Sequence, residues 1–214
     1  MSLIACSDGN GAGSDNKPVD DIDLLAGVQA NIELTSSGFL DGNDMPGVYT
    51  CYGLDRSPDL SWRGVPENTV SLSMIFSGTD PDDADGPDKA HWVIYNLPGE
   101  LSELPASISV TKESVLGGSQ GRNDFRRGFG WHGPCPGRGV RQAGSYAFNL
   151  YALDTILEID SGEKGVVRND VIRAMEGHVI GHGQLQTKYC QSDAGSTGAL
   201  SSGSKDRGSC PPLD

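Results

Sequence analysis

Five aspartates, Asp80, Asp82, Asp83, Asp85 and Asp88, stand in the stretch DPDDADGPDKAHW, which closes on His91 and Trp92. Carboxylates crowded ahead of an imidazole suit a calcium loop, a catalytic dyad, a ligand pocket or a solvated turn. An EF-hand takes acids at positions 1, 3 and 5, glycine at 6 and glutamate at 12. Counted from Asp80, the fifth position is Ala84 and Gly86 falls at the seventh, so that reading is excluded and only a looser hard-cation site stays open. One histidine with two aspartates is a poor zinc set. No G-x-S-x-G elbow supplies a serine nucleophile. The run GWHGPCPGRG lacks the G-K-[ST] of a phosphate loop. Cys135 and His132 are a formal thiolate pair, but a structural or disulfide-bonded Cys135 is the preferred reading. A hydrolase using Asp82 and His91 as general base ranks last, for want of a nucleophile or a full metal set. The expectation is a protein that is not an enzyme, with no cofactor and no metal.

The elements that must carry this loop are strands. Val70, Leu72, Met74 and Phe76 alternate with Ser71, Ser73 and Ser77, which is strand period with the serines on the opposite face. HWVIYNLP is almost continuously apolar and predicts a strand covered on both faces, ended by Pro98. Val28, Ala30, Ile32 and Leu34 alternate, as do Tyr146, Phe148 and Leu150, and HVIGHGQLQTKY reads as a last strand. Val167, Val171 and Met175, with Ile172 beside them and Gly177 as a stop, give one helical pattern. Residues 99–144 are glycine-rich without periodicity, too long for an ordinary connection. Trp62 and Trp92 are expected in the core. His178 is expected to bond at the helix end within the core, and His182 to lie on the strand surface. The fold class is mainly β: two antiparallel sheets packed together, with a short C-terminal helix.

A net charge of −13 over 214 residues repels nucleic acid and anionic bilayers, so neither is expected as a direct partner. Leu3-Ile4-Ala5-Cys6 resembles a bacterial lipoprotein cleavage box, which implies lipid on Cys6 and a place in the cell envelope or periplasm. The chain is accordingly divided into a tether (1–25), one domain (26–190) and a polar tail (191–214). With Cys6 set aside, four cysteines allow three connectivities. Cys190 paired with Cys210, closing the polar tail, and Cys51 paired with Cys135 is the favoured set.

Six motifs then occur in a telling order: SPDLSW, TDPD, HWVIYNLP, NDF followed by GPCP, YAFNLYALD and MEGHVIGHGQL. Over about residues 27–190 the chain resembles phosphatidylethanolamine-binding proteins, and within them the bacterial Raf-kinase-inhibitor-like branch. The resemblance implies a β-sandwich with a small anion-accepting pocket at one end of the sheets. Its ligand-binding residues here are Asp80, Asp82, His91, Gly133, Pro134 and Tyr146. Imidazole, phenol and loop N–H groups would donate to a phosphate. An aspartate would orient the imidazole or meet an ammonium, which suits a zwitterionic head group. The chain departs from the pattern just before Tyr146: where the family has a His-Arg pair, it has Gly144 and Ser145. His132, Arg138 and Arg141 are the auxiliary candidates to replace the missing donor. A protein-interaction or inhibitor module acting through loop 99–144, with a degenerate pocket, is the alternative reading.

Overall fold

The computed structural model describes residues 23–79, 88–110, 116–125, 128–137, 143–160 and 164–190. Among them eight strands form two antiparallel sheets. The smaller has β1 (Glu33–Thr35), β2 (Leu60–Arg63) and β5 (Glu103–Leu104), in the order β1-β2-β5. The larger has β3 (Ser71–Thr79), β4 (Lys89–Pro98), β6 (Ser119–Gln120), β7 (Gly144–Leu153) and β8 (Val179–Tyr189), in the order β6-β4-β3-β7-β8. One α-helix, α1 (Arg168–Met175), precedes β8, and a single 3-10 turn spans Gly47–Tyr49.

Period-two alternation determines which side chains meet between the sheets. Leu72, Met74 and Phe76 of β3 and Phe148 and Leu150 of β7 are wholly buried there, against Leu34, Leu60, Trp62 and Leu104 of the smaller sheet. Phe76 and Phe148 stack at 4.0 Å between ring centroids, and Trp131 lies nearly parallel to both, 5.0 Å from Phe76 and 6.0 Å from Phe148. The second face of the large sheet is also covered. Ile75, Val93 and Leu153 pack against Val171, Ile172 and Met175 of α1. The serines of β3 therefore do not face water, as polar alternation suggests: Ser71 and Ser73 are fully buried. Gly177, at φ 79°, ends the helix in the left-handed region where a β-carbon is costly.

Three local expectations are corrected. The first strand is short, because the Asn31 N–H turns back to the Gln29 carbonyl, and only Glu33–Thr35 pair with β2. Loop 99–144, whose length suggests a functional or disordered segment, has well-packed positions among its described residues. Gln120 is 2% exposed, accepts the Trp92 indole N–H at 2.8 Å and donates to the Ser109 carbonyl at 2.5 Å. The two late histidines exchange roles. His178 is half-exposed and pairs with Asp154 at 2.9 Å, whereas His182 is buried on β8 beside Tyr151 and 3.2 Å from Asn149 Oδ1.

Burial pushes the His182 imidazole below its ordinary pKa, because the protonated form loses hydration. The unfolded chain then binds a proton at this residue more readily than the folded one. The stability contribution is present above the unfolded value, about 6.5, and is lost as pH falls toward the folded one. Urea unfolding between pH 7.5 and 5 should show a flatter acid limb for His182→Gln than for the parent protein. Equal slopes would contradict this account.

Candidate functional site

His91 is placed by an irregularity that the alternation pattern does not announce. Along β3 and β4, Phe76 pairs with Trp92 and Ser77 with Ala90, so the ladder steps over His91. One extra residue in β4 is a bulge, which re-aims side chains and lets neighbours share a face. Trp92 enters the core between the sheets while His91, also fully buried, packs on the same Phe76 ring at 5.5 Å. The edge of the Tyr146 ring approaches at 5.3 Å and Phe125 lies at 4.5 Å.

The NDF motif places Phe125. Asp124 clasps the residue before His91, accepting the Ala90 N–H at 2.6 Å and donating its own to the Ala90 carbonyl at 2.9 Å. Asn123 Oδ1 accepts the Phe125 N–H at 3.1 Å, closing a side-chain-to-backbone turn. The Phe125 ring thereby lies against both His91 and His132, the latter at 4.2 Å.

Segment 131–137 forms the adjoining wall. Cys51 and Cys135 are joined in a disulfide with Cα atoms 5.4 Å apart. The Cys51 N–H donates to the Pro134 carbonyl at 3.3 Å, the Tyr52 hydroxyl to that of Pro136, and the Trp131 indole N–H to that of Tyr49 at 3.2 Å. His132 exchanges its backbone with β4, donating its N–H to the His91 carbonyl at 2.9 Å. The His132 carbonyl lies 2.8 Å from His91 Nδ1. A carbonyl only accepts, so Nδ1 carries the proton.

Asp55, which sequence reasoning missed, is central to this wall. Its Oδ1 accepts the Gly133 N–H at 2.8 Å, and its Oδ2 lies 3.6 Å from His132 Nδ1. The Gly133 N–H, expected to serve a phosphate, is thus given to a protein carboxylate. Gly133 itself is required by close approach: a β-carbon would meet the Tyr49 carbonyl and stand 2.7 Å from Thr50 Cα. His132, with 5% of its surface exposed, stacks nearly parallel to His91 at 6.1 Å. It is the one auxiliary candidate that the described residues bring to the imidazole. Arg138 and Arg141 lie outside the described residues, as do Asp80, Asp82, Cys6 and Cys210. Cys190 is disulfide-bonded, and its partner also lies outside them.

At Gly144, where the chain departs from the pattern, the Tyr146 ring lies over the glycine. The Tyr146 ring lies along its own strand, so that a β-carbon on Gly144 would stand 2.8 Å from ring Cζ, and one on Gly78 would stand 2.8 Å from Cγ. The phenol occupies the space that a side chain at 144 would need. Beside it opens a cavity of about 530 Å³ whose lining includes Thr79, Asp88, Ser145, Tyr146, Gln186 and Lys188. Thr79 donates to Asp88 at 2.5 Å, tying together the two residues that flank the acidic loop. This cavity reaches Tyr146, and neither His91 nor His132 is among its lining residues.

Comparison with known proteins follows the same outline. Residues 35–190 match the family model described as phosphatidylethanolamine-binding protein. A UPF0098 protein of Methanothermobacter thermautotrophicus is 41% identical over 160 residues, covering 74% of this chain and 98% of its own. Among solved structures, Escherichia coli YbcL, described as a new member of the mammalian PEBP family, superposes with a TM-score of 0.66 at 27% identity, covering 76% of this chain and 100% of its own. The Chlamydia trachomatis PEBP homologue CT736 gives a TM-score of 0.64 at 30% identity, covering 77% and 100%.

Proposed function

The chain belongs to the phosphatidylethanolamine-binding protein family, and from that premise we propose that it is a binding module for a phosphate-bearing head group or similar small anion, accepted at the His91–Tyr146 end of the large sheet. The observation that carries this reading is the bulge that buries His91 with Nδ1 held to the His132 carbonyl at 2.8 Å. An imidazole fixed in this way has a set ring plane, so contact with a ligand falls to Nε2, which donates to an anion when the ring is doubly protonated. The Tyr146 edge beside it adds a phenol, which donates or accepts. Asp80 and Asp82 supply the negative complement for an ammonium on this reading. The Leu3-Ile4-Ala5-Cys6 stretch supplies a lipid anchor at the cell envelope, an oxidising setting with which the Cys51–Cys135 disulfide agrees.

His91→Asn tests the reading without emptying the site, since the Asn amide sits where Nδ1 was and the ring beyond it is gone. Calorimetric titration of phosphorylethanolamine at low salt should show saturable binding to the parent protein. The variant should bind ten- to a hundredfold more weakly, the effect of losing a charged hydrogen bond of ~1.5–3 kcal/mol. No binding to the parent protein, or equal affinity in both, would dismiss the proposal.

A further inference from the structure

The peptide unit between His132 and Gly133 is held at both ends, and from this we infer that Asp55 is a positioning residue of the site, acting on His91 through that one peptide. The carbonyl of this unit accepts from His91 Nδ1 at 2.8 Å, and its N–H donates to Asp55 Oδ1 at 2.8 Å. A carboxylate at the N–H end draws charge along the amide and makes its carbonyl oxygen a stronger acceptor, as hydrogen bonds in series polarise one another. The surroundings magnify the effect, because His91 is 0% and His132 5% exposed and little water screens the relay.

Asp55 is itself well anchored. Its N–H donates to the Thr50 carbonyl at 3.2 Å, within a turn that also bonds Gly53 to Thr50 at 2.9 Å. Its φ of 51° lies in the left-handed region, which aspartate tolerates better than most residues. Its second carboxylate oxygen faces His132 Nδ1 at 3.6 Å. A carboxylate commonly fixes a histidine tautomer by direct contact; here the same influence passes through a peptide. The consequence for ligand binding rests on the head-group reading above, whereas the effect on the His91 tautomer does not.

Two variants separate positioning from simple loop support. Asp55→Gly removes the carboxylate and suits the backbone at this φ. Asp55→Asn keeps an oxygen for the Gly133 N–H and removes the charge. Two-bond 15N–1H correlation spectra of the His91 imidazole read the tautomer directly. The parent protein should show the Nδ1–H form. Asp55→Gly should give a mixture of Nδ1–H and Nε2–H in the free protein and bind phosphorylethanolamine about tenfold more weakly, because the doubly protonated ring that donates to a phosphate loses its polarised acceptor at Nδ1. Asp55→Asn should restore the tautomer, with the Nδ1–H proton moved upfield because the acceptor is less polarised. A His91 spectrum in folded Asp55→Gly identical to that of the parent protein would overturn the inference. Should Asp55→Gly not fold, an unmoved Nδ1–H resonance in Asp55→Asn would do the same. A tautomer that shifts in a protein giving no heat with phosphorylethanolamine would leave Asp55 in this role and remove the head-group reading alone.

Discussion

Replacing Cys51 and Cys135 by serine together is expected to lower the unfolding free energy by about 4–5 kcal/mol, the chain-entropy value for a closed loop of this length. The two cysteines are 84 residues apart, and the loop between them contains β2, β3, β4, β5 and β6. Cross-linking so long a segment removes many conformations from the unfolded chain and few from the folded one. The serine pair is a better probe than a reductant, which would also open the second disulfide at Cys190. Urea denaturation of the two proteins at one pH measures the difference. The local contacts that back up the disulfide, from Tyr52 to Pro136 and from Trp131 to Tyr49, persist in the variant. A loss below about 1 kcal/mol would mean that they hold segment 131–137 unaided and that the cross-link is thermodynamically idle.

The same contacts show what can and cannot be read from the chain. Phe148 and Leu150 on β7, and Leu72, Met74 and Phe76 on β3, follow strand period, and all five enter the core between the sheets. Polarity misleads at Ser71 and Ser73, because strand period identifies two faces and does not say what covers the second; α1 and the chain leading to it do so. His182 is the same error, a polar residue assigned to the surface by type and buried by its neighbours. The bulge at His91 leaves no trace in an apolar run, since a one-residue offset changes pairing and not composition. Asp55 was hidden for another reason. An aspartate in GLDRSP reads as turn chemistry, and its partner Gly133 is 78 residues away. Local pattern shows which residues are able to bond and leaves open which distant residue arrives. The six ordered motifs point to a candidate site by resemblance, whereas the bonds that Asp55 and His91 make to one peptide unit depend on how distant segments meet.

Gly133→Ala should be the most damaging single-methyl substitution at the site, costing about 3 kcal/mol or more, at the upper end of overpacking effects. The added carbon would run into the Tyr49 carbonyl and stand 2.7 Å from Thr50 Cα and 3.0 Å from Asp55 Oδ1. Two of these obstacles are backbone and do not rotate aside. Nor is the loop free to withdraw, because Cys135, two residues on, is bonded to Cys51 beside the obstructing residues. The peptide must therefore shift, and the one that shifts bonds both Asp55 and His91. Stability and the His91 tautomer should be lost together. Gly47→Ala is the control: it lies two residues before Tyr49, in the stretch that faces Gly133, no atom stands within 4 Å of its added carbon, and φ does not demand glycine. Its effect should stay within about 0.5 kcal/mol, as for an unencumbered surface change. Urea unfolding and the imidazole spectrum of the two variants provide the check. If Gly133→Ala matches Gly47→Ala in stability, segment 131–137 yields more readily than its disulfide and hydrogen bonds imply. If stability falls while the His91 spectrum stays unchanged, the peptide gripped by Asp55 is not what fixes the imidazole.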